Sequence, residues 1–361
     1  MGYSPEPTPT AARSTGSSFV QTSNDRRGFM IQIPNTMRPG VFISSSVRAA
    51  ASGNAVRTVA AVGQAGADAP QGCTVVHTRE DAAALGENSA LQQMVFALLD
   101  AGCAPVRAVP AGEDYAEAFD AIAGIEEVRV VVSDGGGEAF AAHLAECRTA
   151  GRERFGVLAV SEPEDAAAIA RQINCERLAV ACDGGSCTLR TAAAFAALIA
   201  REGAAGCYNG AELPFSGTFD GSLSDGQVGM LLAAGVTPFE QVGGVVECIR
   251  AVTSHTLTDG LPDRTFSAVS TVLAVDEVVS GLRYAVRARL RGMKNSSATR
   301  ESIASQLTVE LEARRLEGVI DSFLPPVVAA HPKDPSVCVA TLSFSIAPEI
   351  SQIVISAEIS I

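Results

Sequence analysis

No Cys-x-x-Cys pair, no Gly-Lys dipeptide and no Gly-x-Ser-x-Gly pentapeptide occurs in the 361 residues. The first absence leaves nine irregularly spaced cysteines, which fit reduced thiols better than a disulfide framework or a zinc knuckle and point to folding in a reducing compartment. The second excludes the Walker A route to nucleotide hydrolysis. The third removes the serine nucleophile elbow, and with only His77, His143, His255 and His331 present, imidazole bases are scarce. Apolar runs also stay short of the roughly 18–20 residues that span a bilayer, and Met1–Thr10 has neither a basic nor an apolar region of a secretion signal. The expectation is a chain that neither spans a membrane nor follows the Sec route. Myristoylation is not supported, because Glu6 stands where that signal wants Ser or Thr. Lysine is nearly missing too: Lys294 and Lys333 are the two present, a bias that accompanies abundant Ala and Gly and carries no functional information.

What is present describes a folding chain. Hydrophobic residues make up 47% and charged residues 19%, enough to bury sizeable cores, and the length suits two or three domains. The net charge of −13 repels nucleic acid and anionic membrane at long range, so neither is expected as a partner.

The first 27 residues are rich in Ser, Thr and Pro and cannot repay ordering entropy by burial, so they read as a flexible arm. Phe29–Ile33 and Val41–Ile43 follow as extended segments interrupted by Pro34 and Pro39, an edge-strand pattern. From Val56 to about Gly235, short apolar runs alternate with Ala-rich helical stretches, which predicts an α/β layer around a largely parallel sheet covered on both faces. Strands are expected at 56–62, 106–109, 128–132, 155–160 and 178–181, with helices near 89–100, 115–122, 139–150, 163–173 and 191–202. Ser224 and Gln227 have capping-box spacing and Gly235 suits a left-handed helix stop. Val275, Val278, Leu282 and Val286 then recur at helical spacing, as do Ile303, Leu307 and Leu311. After Pro325-Pro326 the period becomes two, through Leu342, Phe344 and Ile346 and on to Ile353, Ile355, Ile359 and Ile361.

Candidate chemistry is thin. Asp134-Gly135-Gly136-Gly137 follows a strand and precedes a helix but lacks the dinucleotide spacing, so a plain turn is favoured. Cys182 and Cys187 have a non-zinc spacing, and His143 with Cys147 has no second ligand pair. Asp183, Ser186 and His255 are the one trio an α/β hydrolase could use. No convincing catalytic centre, metal site or cofactor site emerges. One charge feature stands out: Arg283, Arg287, Arg291 and Lys294 fall at helical intervals, with no acid from Gly281 to Asn295. It is either a solvated face with acidic partners elsewhere in the fold or a partner-binding stripe, and a monomeric binding module would use it in the second way.

Several segments taken in order resemble the sheath protein family of contractile phage tails and related injection systems. They are Met37-Arg38-Pro39-Gly40-Val41-Phe42-Ile43; Thr58–Gly63 through Leu98 to Val109; Gly235-Val236-Thr237-Pro238-Phe239-Glu240 with Val246–Thr253 and Asp276-Glu277-Val278-Val279; and Met293-Lys294-Asn295 to Leu316-Glu317-Gly318-Val319-Ile320. The resemblance spans most of residues 37–361 and lacks the extra outer domains of long family members. It implies a non-enzymatic structural subunit with a subtilisin-like α/β middle domain that has lost its catalytic residues, and a C-terminal α+β assembly domain with extended terminal arms. The boundaries expected are an arm over 1–50, the middle domain over 51–237, the C-terminal core over 238–348 and a linking strand over 349–361. It also implies stacked six-membered rings around an inner tail tube, contraction that drives the tube through an envelope, and baseplate and tail terminator proteins as further partners. The location would be the host bacterial cytoplasm during assembly, then a virion tail or a released particle.

The residues point the same way. A terminal segment alternating as Ile353, Ile355, Ile359 and Ile361 has an apolar face and unpaired main-chain groups that need a neighbour. Val354 lies within it, and Phe29, Ile31, Ile33, Val41 and Ile43 offer the other half of a subunit link. Arg283, Arg287, Arg291 and Lys294 are the candidates for facing the tube.

Overall fold

The computed structural model describes residues 58–287, 293–333, 338–346 and 349. The chain divides into units 1–49 and 50–361, and the described residues belong to the second.

Among the described residues nine strands form the main sheet: β1 (Thr58–Gln64), β2 (Thr74–Val76), β3 (Val106–Ala111), β4 (Val128–Ser133), β5 (Phe155–Ala159), β6 (Leu178–Cys182), β7 (Ala211–Glu212), β8 (Val236–Val242) and β9 (Val245–Cys248). Their order is β2-β3-β1-β4-β5-β6-β8-β9-β7. The six strands from β3 to β8 run parallel, while β2, β9 and β7 add antiparallel edges. Parallel neighbours require crossovers, and the Ala-rich stretches supply them. They form α1 (Ala90–Asp100), α2 (Tyr115–Ala123), α3 (Gly137–Thr149), α4 (Pro163–Ile173), α5 (Thr188–Glu202) and α6 (Asp225–Ala234).

Alternate strand residues sort into two cores. Val59, Ala61, Val130, Val132 and Val157 face α1 and α5; Ala60, Val62, Val131, Leu158 and Val180 face α2, α3, α4 and α6. Because both faces are covered, the strands read as continuous apolar runs rather than alternating ones. Helix α5 is buried from Thr191 to Ala200, which explains its composition: alanine lets a fully enclosed helix approach the sheet and α1 closely. The helix over 225–234 carries the capping box of Ser224 and Gln227 and stops at Gly235 with φ of 81°, as its sequence predicts.

Beyond the sheet come a small hairpin of β10 (Leu257–Thr258) with β11 (Leu261–Pro262), then α7 (Val269–Arg287), α8 (Ser297–Leu316) and the antiparallel pair β12 (Ser322–Ala330) and β13 (Cys338–Ser345). Strand β8 crosses position 237, so the sheet continues to Cys248 before the chain leaves that layer. Helices α7 and α8 pack through Ala274, Val278, Leu282, Ile303, Leu307 and Leu311. Arg314 reinforces the pair by bridging Glu310 of its own helix at 2.7 Å and Glu277 of α7 at 3.1 Å.

Buried ions tie α7 to the sheet. Arg177, at the start of β6, donates from Nε to Asp276 Oδ2 at 3.0 Å and also reaches Asp276 Oδ1 and Glu176. Burial works against its charge, but the hydrogen bonds and charges of Asp276 and Glu176 outweigh this and raise the guanidinium pKa. Arg154 is buried as well, donating to the carbonyls of Ile122 and Ile125, where α2 ends and its dipole is negative. Its Nη1 lies 2.9 Å from His143 Nε2, and burial followed by the charges of Arg154 and Arg152 lowers the imidazole pKa to about 4.

The parallel strands reverse their order of addition between β1 and β4, the place where doubly wound sheets open a crevice. Tyr115 fills it. Its hydroxyl donates to Asp134 Oδ1 at 2.8 Å, Asp134 Oδ2 accepts the Gln64 amide at 2.9 Å, and its ring lies against Gly135 and Gly136. Gly136 has φ of 69°, and a Cβ there would sit 2.4 Å from Tyr115 Cβ.

Two predictions follow from these contacts. Gly136→Ala combines left-handed strain with overpacking and is expected to cost about 3 kcal/mol in urea denaturation. Gly72→Ala, with φ of 79° and open space, should cost about 1 kcal/mol. Equal losses would show that the Tyr115 contact is not tight. Arg177→Met leaves Asp276 uncompensated and should cost about 3–5 kcal/mol, most of it recovered by adding Asp276→Leu. A double variant no better than the single would show that the pair does not hold α7.

Candidate assembly interface

The β12–β13 pair has one supported face and one exposed face. Phe323 opposes Phe344 in register, and both turn with Val328, Leu342 and Ile346 toward the α7–α8 cluster. The opposite face carries Leu324, Val327 and Val339, exposed by 65%, 63% and 42%. Pro325 and Pro326 lack amide donors, and the register shifts between Leu324 and Val327 to pass over them. Among the described residues, each strand has one paired edge and one edge without a further strand. Such a pair is marginal alone; α8 supports one face and nothing among the described residues covers the other. One polar tie reaches from the pair to the start of α8: Cys338 Sγ donates at 3.1 Å to Asn295 Oδ1, the oxygen that also accepts from Arg300 Nη1 of α8 at 2.8 Å.

The residues of the basic stripe differ in their surroundings. Arg283 donates to both Glu153 oxygens, at 2.6 and 2.9 Å, and to the Gly151 carbonyl, so its acidic partner lies within its own chain. Burial opposes ionisation of Glu153, yet the hydrogen bonds and charge of Arg283 hold its pKa below the usual carboxylate range. The described part of α7 ends at Arg287, and Arg291 lies outside the described residues. Lys294 is exposed, and Tyr284 on α7 is 80% exposed. The linking candidates Phe29, Ile31, Ile33, Val41, Ile43, Ile353, Val354, Ile355, Ile359 and Ile361 all lie outside the described residues.

The hydrolase trio is not brought together. Asp183 is fully buried and accepts from Thr188, from Thr191 at 2.6 Å, from the Cys187 thiol at 3.1 Å and from the Gly185 amide at 3.0 Å. Ser186 donates instead to Asp220 at 2.5 Å, while His255 sits 3.5 Å from Asp263 and 3.2 Å from Thr258. Hydrogen bonds from Thr265, Thr258 and His255 hold Asp263 far below the usual carboxylate pKa, so it serves as a turn anchor beside β10–β11. Cys147 lies 3.6 Å from His143, but the Arg154 cation occupies the imidazole's Nε2 side.

The glycine turn Asp134–Gly137 lines a cleft of about 450 Å³ at the carboxyl ends of β4 and β5. Gln172 spans it to Glu138 at 2.6 Å. With Asp134 before the turn and Glu138 in the first turn of α3, the cleft presents carboxylates that disfavour a phosphate. Among the described residues no cluster of three or more metal-ligating side chains occurs, and no helix is long and apolar enough to cross a membrane.

Sequence signals missed the hairpin of β8 and β9. Val242-Gly243-Gly244-Val245 is a two-residue turn with both glycines at positive φ, 61° and 95°, and it was readable as such. Strand β12 was hidden by its two prolines.

No family profile and no curated protein sequence matches the chain. Solved structures do. A chain of the anti-feeding prophage baseplate superposes with a TM-score of 0.67 at 13% identity, covering 90% of this chain and 100% of that one. The sheath complex of the extracellular contractile injection system PVC, in its contracted state, gives 0.66 at 13% identity over 94% and 98%. A sheath tail protein from Desulfitobacterium hafniense gives 0.61 at 10% identity over 85% and 100%. At these identities the shared property is the backbone arrangement: this chain has the fold of contractile-system sheath proteins.

Proposed function

We propose that the protein is a structural, non-enzymatic sheath subunit that polymerises as stacked rings around an inner tube and contracts to drive the tube through a target envelope. The observation that carries the reading is the β12–β13 pair, with an edge on each strand that no described strand pairs and with Leu324, Val327 and Val339 exposed, on a fold shared along almost its full length with sheath proteins. Two free edges suit strands donated by neighbouring copies, since main-chain pairing gives strength while tolerating changes of subunit angle. A heterologous contact that does not close on itself propagates as a helical array.

The partners are then other copies of the chain, a tube protein, and the baseplate and terminator proteins that begin and end such a stack. The linking segments are those around Phe29–Ile33, Val41–Ile43 and Ile353–Ile361. Lys294 and its basic neighbours Arg287 and Arg291 face the tube, with Arg283 committed to Glu153. Assembly takes place in a bacterial cytoplasm, and the finished subunit resides in a virion tail or a released particle.

Truncation after Pro348 tests this. The truncated chain is expected to keep the circular dichroism of the parent and to build no tubes by electron microscopy, and Ile355→Pro should behave nearly the same by removing a ladder donor. Normal tubes from the truncated chain would show that the final segment is not the link; an unfolded product would assign that segment to its own subunit's core.

A further inference from the structure

Among the described residues beyond β13, Glu349 meets the loop that precedes β7. Glu349 Oε2 accepts from the backbone amides of Tyr208 at 3.1 Å and Asn209 at 3.0 Å. The receiving loop is fixed independently of that carboxylate. Tyr208 is fully buried, its ring meets Phe195 edge-on at 6.2 Å, and its hydroxyl donates to the Gly203 carbonyl at 2.5 Å. Asn209 Oδ1 accepts the Ala251 amide at 3.0 Å, and the Gly210 amide donates to the Cys248 carbonyl at 2.7 Å. Two adjacent amides therefore converge on one carboxylate from a loop held by other contacts, a preorganised seat for it.

Three residues earlier, Ile346 packs into the α7–α8 cluster. Ile346 and Glu349 are three residues apart, about 10 Å at most, so two nearby points of the chain are held, one by the helix layer and one by the loop before β7. The tie is poorly optimised for stability: Glu349 Oε1 is buried without a hydrogen-bond partner, and the neighbouring Cys248 thiol is fully buried. Burial first, then the Glu349 charge, raises that thiol's pKa.

We infer that Glu349 is a positioning residue that fixes the point from which the final segment leaves the subunit, and so sets the register in which that segment pairs with a neighbouring copy. The inference rests on the sheath reading and deepens it. Register matters because a slip of one residue turns every side chain of a strand to the opposite face. With 351–361 reading as an alternating strand, a fixed origin decides whether Ile353 and Ile355 or Val354 meet the neighbour's apolar face.

The test uses the full-length chain with Glu349→Ala and Glu349→Gln. Hydrogen exchange of the Tyr208 and Asn209 amides should accelerate about tenfold in Glu349→Ala, while thermal midpoints of both variants stay within about 4 °C of the parent. The yield of ordered tubes should fall about tenfold for Glu349→Ala and less for Glu349→Gln, whose side-chain carbonyl still accepts from the two amides. Parent-like tubes from Glu349→Ala with accelerated exchange would overturn the inference, and so would unchanged exchange. The chain truncated after Pro348 is run in parallel. If it too builds normal tubes, the linking reading itself has failed; if it builds none while Glu349→Ala assembles normally, the error is confined to Glu349.

Discussion

Main-chain amides and carbonyls in a strand demand partners, and a two-stranded sheet satisfies those on its inner edges alone. Among the described residues β12 and β13 are such a pair, propped on α8 through Phe323, Phe344 and Leu342 and left with two outer edges. Everything else in the described structure can be seen as a way of holding that pair rigidly. The nine-stranded sheet supplies mass and stiffness, α7 is fastened to it by Arg177–Asp276 and Arg283–Glu153, α8 is fastened to α7 by Arg314, and the hairpin follows. A subunit that transmitted force through main-chain pairing, as proposed, would need that chain of attachments, because a soft joint would absorb the motion instead of passing it on.

The same logic explains why the α/β unit carries the topology of a ligand-binding fold without an open switch-point crevice. Tyr115 occupies the place where the strand order reverses, and its hydroxyl is committed to Asp134. Burial raises the phenol pKa to about 12, so the group stays a neutral donor to a carboxylate whose own pKa burial also raises. Asp183, which sequence order offered to a catalytic trio, is likewise consumed by the threonines and thiol at the start of α5. The switch point and the start of α5 are thus occupied by the chain's own side chains, and the fold by itself assigns no function.

Much of the fold was legible in the sequence. The parallel strands at β1, β3, β4, β5 and β6 announced themselves as short apolar runs between Ala-rich stretches, and the capping box at Ser224 located α6 to the residue. What escaped notice did so for physical reasons. Pro325-Pro326 signals a break, yet an edge strand with a register shift tolerates residues that cannot donate, and β12 runs through them. The ion pair of Arg283 with Glu153 spans 130 positions, and no local pattern reveals it; the regular spacing of the stripe showed which residues share a face but not what that face meets. The seat for Glu349 was invisible for the same reason, since it depends on a loop 140 residues upstream.

Helical reconstruction of the assembled protein by electron microscopy, at a resolution that traces strands, tests the central claim most directly. The account predicts that each β12–β13 pair gains strands from neighbouring copies on its outer edges, so that Leu324, Val327 and Val339 lie within a larger intersubunit sheet layer. Assemblies in which both outer edges of β12–β13 face solvent would contradict it.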